Sequence, residues 1–226
     1  MRFIRARKGD LDKSFNMFKD FIEFRKQYNV DSILNYSPKI NKSIHEIFPT
    51  SYHKTDKNGL PIFINLMSKF DIDKMIKEIP DIDAEMYIIK DFEYQNKIIF
   101  PACSKVMGKY IENCITIIDI KDIGINFIFK NMKYAKMGGK ITQNYYPENL
   151  SKMFVINANT LFSTLWNLVK NFIDEKTQKK IYVYKDDYLK HLLETIPIEN
   201  LPKFLGGTCE CKEGCMNSNA GIWNIE

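Results

Sequence analysis

Apolar residues near the start of the chain recur with the spacing of an amphipathic helix. One stripe on its face is formed by Leu11, Phe15, Phe18 and Ile22. A neighbouring stripe is formed by Met17, Phe21, Phe24 and Tyr28. Asp10 stands where a capping residue is needed, immediately before this pattern. The two stripes together predict a helix that packs against other elements on more than one side.

Shorter apolar stretches further along the chain are typical of β-strands. Residues 51–66 predict a hairpin, because an Asn58-Gly59 turn joins a polar run to an apolar one. Pro61 favours an edge position, since proline cannot donate a backbone hydrogen bond to a neighbouring strand. Runs rich in β-branched and aromatic residues predict three further strands, within 114–124, 152–159 and 179–185.

Helical patterns separate these predicted strands. The expected helices lie within 81–110 (interrupted at Pro101), 127–137, 160–173 and 187–196. Strands that alternate with helices of this length predict an α/β fold with a mostly parallel sheet and right-handed crossovers.

Composition indicates which cellular compartment and which kinds of partner to expect for the protein. The 226 residues carry a net charge of +5, which would favour an anionic membrane surface, but no block of basic residues indicates a nucleic-acid partner. The apolar runs are shorter than the roughly 18 residues of a membrane-spanning helix. The basic N-terminus has no apolar core of a secretory signal, and five cysteines, an odd number, fit a reducing compartment. We therefore expect a cytoplasmic protein.

The motifs of common α/β enzymes do not occur in the sequence. It contains no glycine-rich phosphate loop, and the Gly138-Gly139 pair falls within or just after a predicted helix. A nucleophile elbow is missing too. The histidines, His45, His53 and His191, are scattered. These features disfavour an enzyme.

Three of the five cysteines form a C-x-C-x3-C pattern near the end of the chain: Cys209, Cys211 and Cys215. A structural zinc site needs four ligands, usually as two short paired motifs. No fourth ligand lies nearby in sequence, and His191 is eighteen residues before Cys209. The sequence therefore favours reduced thiols in a terminal loop over a metal site, and no cofactor is expected.

Several collinear stretches resemble one family. They are RFIRARKGDLDKSFNMFKDFIEFRKQYNVDSIL (2–34), YHKTDKNGLPIF (52–63), PACSK (101–105), TQNYYPENLSKMFVINA (142–158), FSTLWNLVKNFID (162–174) and IPIENLPKFLGG (196–207). In this order they are similar to the CRAL-TRIO lipid-binding domain, in its phosphatidylinositol/phosphatidylcholine transfer branch. The resemblance spans essentially the whole chain.

The resemblance implies a helical N-terminal lobe followed by an α/β domain whose sheet floors an apolar lipid pocket. Residues 1–35 would be a truncated remnant of the lobe, 36–208 the lipid-binding domain, and 209–226 a C-terminal tail. Relatives usually begin several tens of residues earlier and continue past the final GIW. A gate helix with an exposed apolar face would close the pocket and enter the bilayer on opening. The implied gate and hinge residues are Phe162, Leu165, Trp166, Val169, Phe172, Gly206 and Gly207.

The resemblance also implies two sets of lipid contacts. The phosphatidylinositol headgroup would meet Arg7, Lys8, Asp56, Glu148, Thr177 and Lys180. Cationic groups suit the phosphodiester, whereas carboxylates and hydroxyls suit the inositol ring. A choline-type second lipid would meet Tyr52, Phe63, Cys114 and Thr116. Here Phe63 replaces a family tyrosine and Cys114 a serine, which puts phosphatidylcholine in doubt and leaves room for a sterol or another phospholipid.

The implied function is non-enzymatic lipid exchange. The protein would carry single phosphatidylinositol molecules between membranes, trade them for a second lipid, and present them to lipid kinases at Golgi or endosomal surfaces. Two alternatives stay open: a lipid-sensing module that binds without transferring, as a fragment of a larger regulatory protein, and a carrier of another hydrophobic ligand.

Overall fold

The computed structural model describes residues 1–37, 44–159, 162, 166, 170 and 173–224. The chain begins with helices α1 (Arg2–Ala6) and α2 (Leu11–Gln27), followed by a 3₁₀ turn (Val30–Asn35) and α3 (Ile44–Ile47). The Asp10 side chain accepts the Lys13 backbone N–H, which satisfies one of the free donors at the start of α2. The predicted cap is therefore confirmed.

Within the described residues, five strands form one sheet in the spatial order β1-β2-β3-β4-β5. The strands are β1 (Thr50–Thr55), β2 (Pro61–Leu66), β3 (Cys114–Asp119), β4 (Leu150–Ile156) and β5 (Ile181–Val183). The β1–β2 pair is antiparallel and the other three pairs are parallel. This arrangement confirms the predicted α/β class with its mostly parallel sheet.

The helices connect and cover these strands. They are α4 (Ile72–Glu78), α5 (Asp81–Tyr94), a π-helical turn (Gln95–Ile99), α6 (Phe100–Met107), α7 (Ile125–Tyr145), α8 (Glu175–Gln178) and α9 (Tyr188–Thr195). Pro101 does not break the helical stretch: it lies in the first turn of α6, directly after the π turn. Among the helices of the described chain, none combines the length and the apolar character needed to cross a bilayer.

One face of the sheet builds the main core. Alternate residues of the central strands, with Ile64, Ile117 and Ile156 fully buried, pack against Leu192 and Ile196 of the α9 region. The residues between them point to the opposite face, because side chains alternate along a strand. The sheet therefore presents two different surfaces, one closed by α9 and one turned towards α5, the π turn and Phe162.

Two sequence-based predictions about packing are wrong. In α2, Met17 and Phe24 are buried, whereas Leu11 and Phe15 are 69% and 63% exposed. The start of the first apolar stripe therefore does not pack against other elements as predicted. The edge strand of the hairpin is β1 rather than the strand that contains Pro61. Pro61 is tolerated between two neighbours because it is the first residue of β2, where the ladder is only beginning.

Candidate functional site

The four residues of the expected second-lipid site come together on the half of the sheet that faces α5. Tyr52 pairs with Phe63 across β1 and β2, and Phe63 pairs with Thr116 across β2 and β3. The Tyr52 and Phe63 ring centroids are 5.0 Å apart. The Cys114 Sγ lies 3.8 Å from the Thr116 Oγ1. Three adjacent strands thus contribute one continuous row of aromatic, thiol and hydroxyl groups.

Helix α5 and the π turn add polar partners to this row. The Tyr52 hydroxyl donates to Asp91 Oδ2 over 3.1 Å, and Gln95 Nε2 donates to Cys114 Sγ over 3.2 Å. Asp91 and Gln95 stand one helical turn apart, so both can face the sheet. Sequence reasoning missed both residues. Their one signal is the four-residue spacing of two polar side chains on an otherwise apolar helical face.

Burial shifts the pKa values in this cluster. It raises the pKa of Asp91 to about 7, although the Tyr52 hydrogen bond acts in the opposite direction. It also raises the pKa of Tyr52 well above the ordinary value, and the nearby Asp91 charge adds to that effect. Desolvation raises the pKa of the Cys114 thiol to about 11. Tyr52 and Cys114 are therefore uncharged at neutral pH, and Asp91 is protonated in a substantial fraction of the molecules, which suits contact with a lipid.

A second cluster forms where β4 and β5 begin. Lys176 Nζ lies 2.5 Å from Glu148 Oε1, and Lys180 Nζ lies 3.9 Å from Glu148 Oε2. Lys180 Nζ also donates to the Leu150 backbone carbonyl over 2.6 Å. Glu148 has a φ of 65°, a left-handed backbone that is uncommon for glutamate. The turn before β4 thus presents a carboxylate to two ammonium groups.

Sequence reasoning identified Glu148 and Lys180 but missed Lys176. The available signal was the spacing, since Lys176 and Lys180 lie four residues apart, one within the short helix α8 and the other immediately before β5. Thr177 lies beside Lys176, and its backbone N–H and its hydroxyl both donate to Asp174, which caps the start of this short helix. The headgroup roles of Thr177 and Lys180 remain predictions.

The other expected headgroup residues lie apart from this cluster. Asp56 is buried in the β1–β2 turn, where its Oδ1 accepts the backbone N–H groups of Asn58 and Leu60 at 2.8 Å each. Arg7 lines a surface groove of about 280 Å³ between α2 and α7, together with Asp20 and Glu23. Lys8 is exposed. Within the described residues, Glu148 forms its ion pairs with Lys176 and Lys180 and none with Arg7, so the structure does not assemble the six residues into one group.

Between the two clusters lies an apolar part of the same sheet face. Ile118 of β3 and Met153 of β4 pack with Val155, and both remain half-buried although they stand on central strands. Phe162 packs against this group, and its ring stacks with that of Trp166 at 6.1 Å between centroids. Leu165, Val169 and Phe172, the other expected gate residues, lie outside the described residues.

The expected hinge glycines occupy a tight turn after α9. Gly206 has a φ of 90°, and a Cβ on Gly207 would come within 1.9 Å of the Leu201 carbonyl oxygen. Only glycine fits these two positions without a shift of the backbone. Their expected role in a moving hinge remains a prediction.

Comparison with known proteins assigns this fold. A family model of the CRAL/TRIO domain matches residues 45–207. The chain belongs to the CRAL/TRIO family. The crystal structure of Sfh5 has the same fold, with a TM-score of 0.64 over 81% of this chain and 64% of that chain, at 20% sequence identity. The family resemblance found in the sequence is therefore confirmed.

Two relatives are similar to this CRAL/TRIO chain over essentially all of its residues. It is 38% identical to the Sec14 cytosolic factor of Schizosaccharomyces pombe, covering 100% of this chain and 79% of that protein. It is 37% identical to the phosphatidylinositol/phosphatidylcholine transfer protein SFH7 of Arabidopsis thaliana, covering 99% of this chain and 42% of that protein. The chain thus spans less than half of the plant relative.

Proposed function

We propose that this protein binds one phosphatidylinositol molecule above its sheet and exchanges it for a second lipid between membranes. The names of the relatives support this proposal, since SFH7 is a phosphatidylinositol/phosphatidylcholine transfer protein and the yeast relative is a cytosolic factor. The protein would work in the cytosol without a chemical step, and its cargo would be a ligand rather than a cofactor.

The half-buried apolar face of the central strands carries the proposal. Side chains on the central strands of an α/β sheet are normally covered on both faces by helices. Ile118 and Met153 are only partly covered, and so is Phe162, which lies against them. Apolar side chains grouped in this way suit acyl chains, which have no polar group to satisfy.

The change of polarity along β4 supports one orientation of the lipid. Leu150, at the start of this strand, lies beside the ammonium group of Lys180, whereas Val155 near its end lies in the apolar group. At about 3.3 Å per residue, the seven residues of β4 span roughly 20 Å. A phospholipid along this line would meet Lys176 and Lys180 with its phosphate and the Phe162 region with its acyl chains.

The aromatic row around Tyr52 supports a second lipid with a different headgroup. Phe63 and Tyr52 present ring faces that suit a quaternary ammonium. Because Cys114 is a weak donor, the phosphate of such a lipid would depend on the Thr116 and Tyr52 hydroxyls. We propose phosphatidylcholine or a sterol as this second ligand. The stacked rings of Phe162 and Trp166 would contact the membrane during exchange, and a lipid kinase would receive the phosphatidylinositol.

A transfer assay between donor and acceptor vesicles tests the headgroup assignment. The Lys180→Ala variant should transfer phosphatidylinositol at least about tenfold more slowly, since a charge-assisted hydrogen bond contributes about 1.5–3 kcal/mol. Its far-UV circular dichroism should match that of the wild type. Lys179→Ala is the matched control, because Lys179 is the adjacent, exposed lysine.

Equal phosphatidylinositol transfer by the Lys180→Ala and Lys179→Ala proteins would contradict the headgroup assignment. A wild-type protein that copurifies with phosphatidylinositol but moves none between vesicles would contradict transfer and favour the lipid-sensing alternative. Mass spectrometry of the copurifying lipids identifies the second ligand in the same preparation.

A further inference from the structure

Four potential metal ligands converge beside the edge strand β1. They are His53 of β1 and the three C-terminal cysteines, Cys209, Cys211 and Cys215. One ligand atom from each residue lies within 4.8 Å of the other three. His53 and Cys209 are separated by 155 intervening residues in sequence, so the fold alone brings them together.

The chain after the two glycines returns to β1 through defined backbone contacts. The Cys209 N–H donates to Leu201, and the Lys203 N–H donates to Cys209. Further on, the Lys54 N–H of β1 donates to the Ala220 carbonyl over 2.6 Å. Gly214, with a φ of 80°, makes the turn that carries the chain from Cys211 back to Cys215.

The sulfur positions agree with tetrahedral coordination. Cys209 Sγ and Cys211 Sγ are 3.8 Å apart. Zinc–sulfur bonds of about 2.3 Å at tetrahedral angles place two sulfurs about 3.8 Å apart. A disulfide would need about 2.05 Å between the same atoms. All three cysteines are free thiols in the structure.

The histidine gives independent evidence of a ligand. The His53 side chain is fully buried, and neither Nδ1 nor Nε2 has a hydrogen-bond partner among the described residues. Buried polar groups are nearly always paired, because an unmade hydrogen bond costs free energy. A metal ion would take the lone pair of one ring nitrogen. Cys209 and Cys215 are buried with it, and Cys211 is half-buried.

We propose that His53, Cys209, Cys211 and Cys215 form a structural zinc site with one nitrogen and three thiolate ligands. Three thiolates and one imidazole are an established ligand set for structural zinc, which closes all four positions to substrate. Binding would release the thiol protons. The sequence-based expectation differed because it looked for a fourth ligand near the cysteines, whereas His53 comes from the other end of the domain.

The ion would tie the C-terminal segment to β1. That segment carries Trp223, whose ring lies edge-on to Tyr52 at 6.4 Å, and Asn219, whose amide donates to the Tyr94 hydroxyl. Tyr52 belongs to the aromatic row described above and is adjacent to His53 in β1. The zinc site would therefore fix the position of Trp223 beside the aromatic row.

The full chain, purified without chelator, tests the proposal by elemental analysis. We expect about one zinc ion per chain, and X-ray absorption should report three sulfur neighbours and one nitrogen neighbour at about 2.3 Å and 2.0 Å. Replacement by Co²⁺ should give thiolate charge-transfer bands and the strong visible bands of a tetrahedral site. Cys211→Ser and His53→Ala should lose the metal, whereas His53→Cys should keep it with four sulfur neighbours.

Cys103→Ala and His191→Asn are the matched controls, since each removes a cysteine or histidine outside the cluster, and both should keep one zinc ion per chain. Cys211 is the most exposed of the ligands, so its serine variant tests metal loss in a folded protein, checked by circular dichroism. A wild-type chain that neither copurifies with zinc nor gives cobalt–thiolate bands overturns the proposal. Unchanged cobalt spectra in His53→Ala, or a disulfide in protein purified under reducing conditions, would do so too.

Discussion

The two faces of the sheet use the same strands for different purposes. On the α9 face, Ile64, Ile117 and Ile156 are completely buried in one core. On the opposite face, residues one step along the same strands, such as Phe63 and Ile118, are only half-buried. The difference cannot come from strand propensity, because both sets include large apolar side chains. It comes from what covers each face.

This comparison separates stability from binding. A closed face gains free energy from every apolar atom removed from water, at about 25 cal/mol per Å². The open face gains less free energy in this way, because it carries the polar side chains of Asn65 and Thr116 and faces Asp91 of α5. We infer that the α9 face determines the folding free energy and that the other face determines which ligand binds.

The largest expected effect distinguishes two adjacent isoleucines of β3. Ile117→Ala removes a completely buried side chain and should lower the free energy of unfolding by about 2–5 kcal/mol. Ile118→Ala removes a half-buried side chain and should lower the free energy of unfolding by only about 1 kcal/mol, whereas it should reduce lipid binding more than Ile117→Ala does. Urea denaturation of the two variants measures the first quantity, and vesicle transfer the second.

Equal destabilisation by the two isoleucine variants would show that both faces are equally packed and would remove the basis of the comparison. Normal transfer by Ile118→Ala, at full stability, would show that the lipid does not use this face.

The next effect is a pH dependence that arises from Asp91, the carboxyl group of α5 that faces the open side of the sheet. Because the pKa of Asp91 is raised from 3.8 to about 7, this carboxyl group binds more protons in the folded protein than in the unfolded chain between these values. The contribution of Asp91 to the free energy of unfolding should therefore decrease as pH rises from about 4 to about 7. Tyr52, Tyr87 and Cys114 keep their protons in this range, because burial raises each pKa.

Asp91→Asn should remove the contribution of this carboxyl group to the pH dependence. Denaturation of both proteins at several pH values from 4 to 8 measures the difference. A wild type and variant whose stabilities change in parallel over this range would mean that Asp91 titrates as an ordinary exposed carboxyl group.

The smallest expected effect concerns Asn65 of β2. Its Oδ1 is buried on the open face without a hydrogen-bond partner in the described structure. Asn65→Leu should raise the free energy of unfolding by about 1 kcal/mol, since it removes an unsatisfied acceptor. If Oδ1 serves the bound lipid, the same change should slow transfer. A clear loss of stability would indicate instead that Asn65 has a partner within the fold.

Local patterns in the sequence were enough to predict most of the fold. The hairpin around Asn58-Gly59 and the strand that begins at Cys114 follow from turn chemistry and β-branched runs, which act over a few residues. The faces of α2 could not be predicted in this way. Leu11 and Phe24 have equally apolar side chains, and packing against other elements, including α7 more than a hundred residues later, decides which one is buried.

The family resemblance made part of the site predictable, because it indicated which residue types to expect at particular positions. Cys114, Thr116, Glu148 and Lys180 were identified in that way, and each lies in a polar cluster. His53 and Asp91 could not be found, since their significance depends on contacts across strands and helices distant in sequence. Asp56 illustrates the opposite case: an acidic residue in a suggestive motif also fits the ordinary geometry of a hairpin turn.

The return of the C-terminal segment to β1 has a consequence for self-association. A six-residue edge strand presents unpaired backbone groups that can recruit a strand from another molecule. Here the Ala220 carbonyl accepts the Lys54 N–H, and the Asn200 side chain donates to the Thr55 carbonyl, so part of that edge is already occupied. The opposite edge, β5, is only three residues long. Loosening the segment from β1 would therefore expose the longer edge and promote aggregation between copies before it unfolded the core.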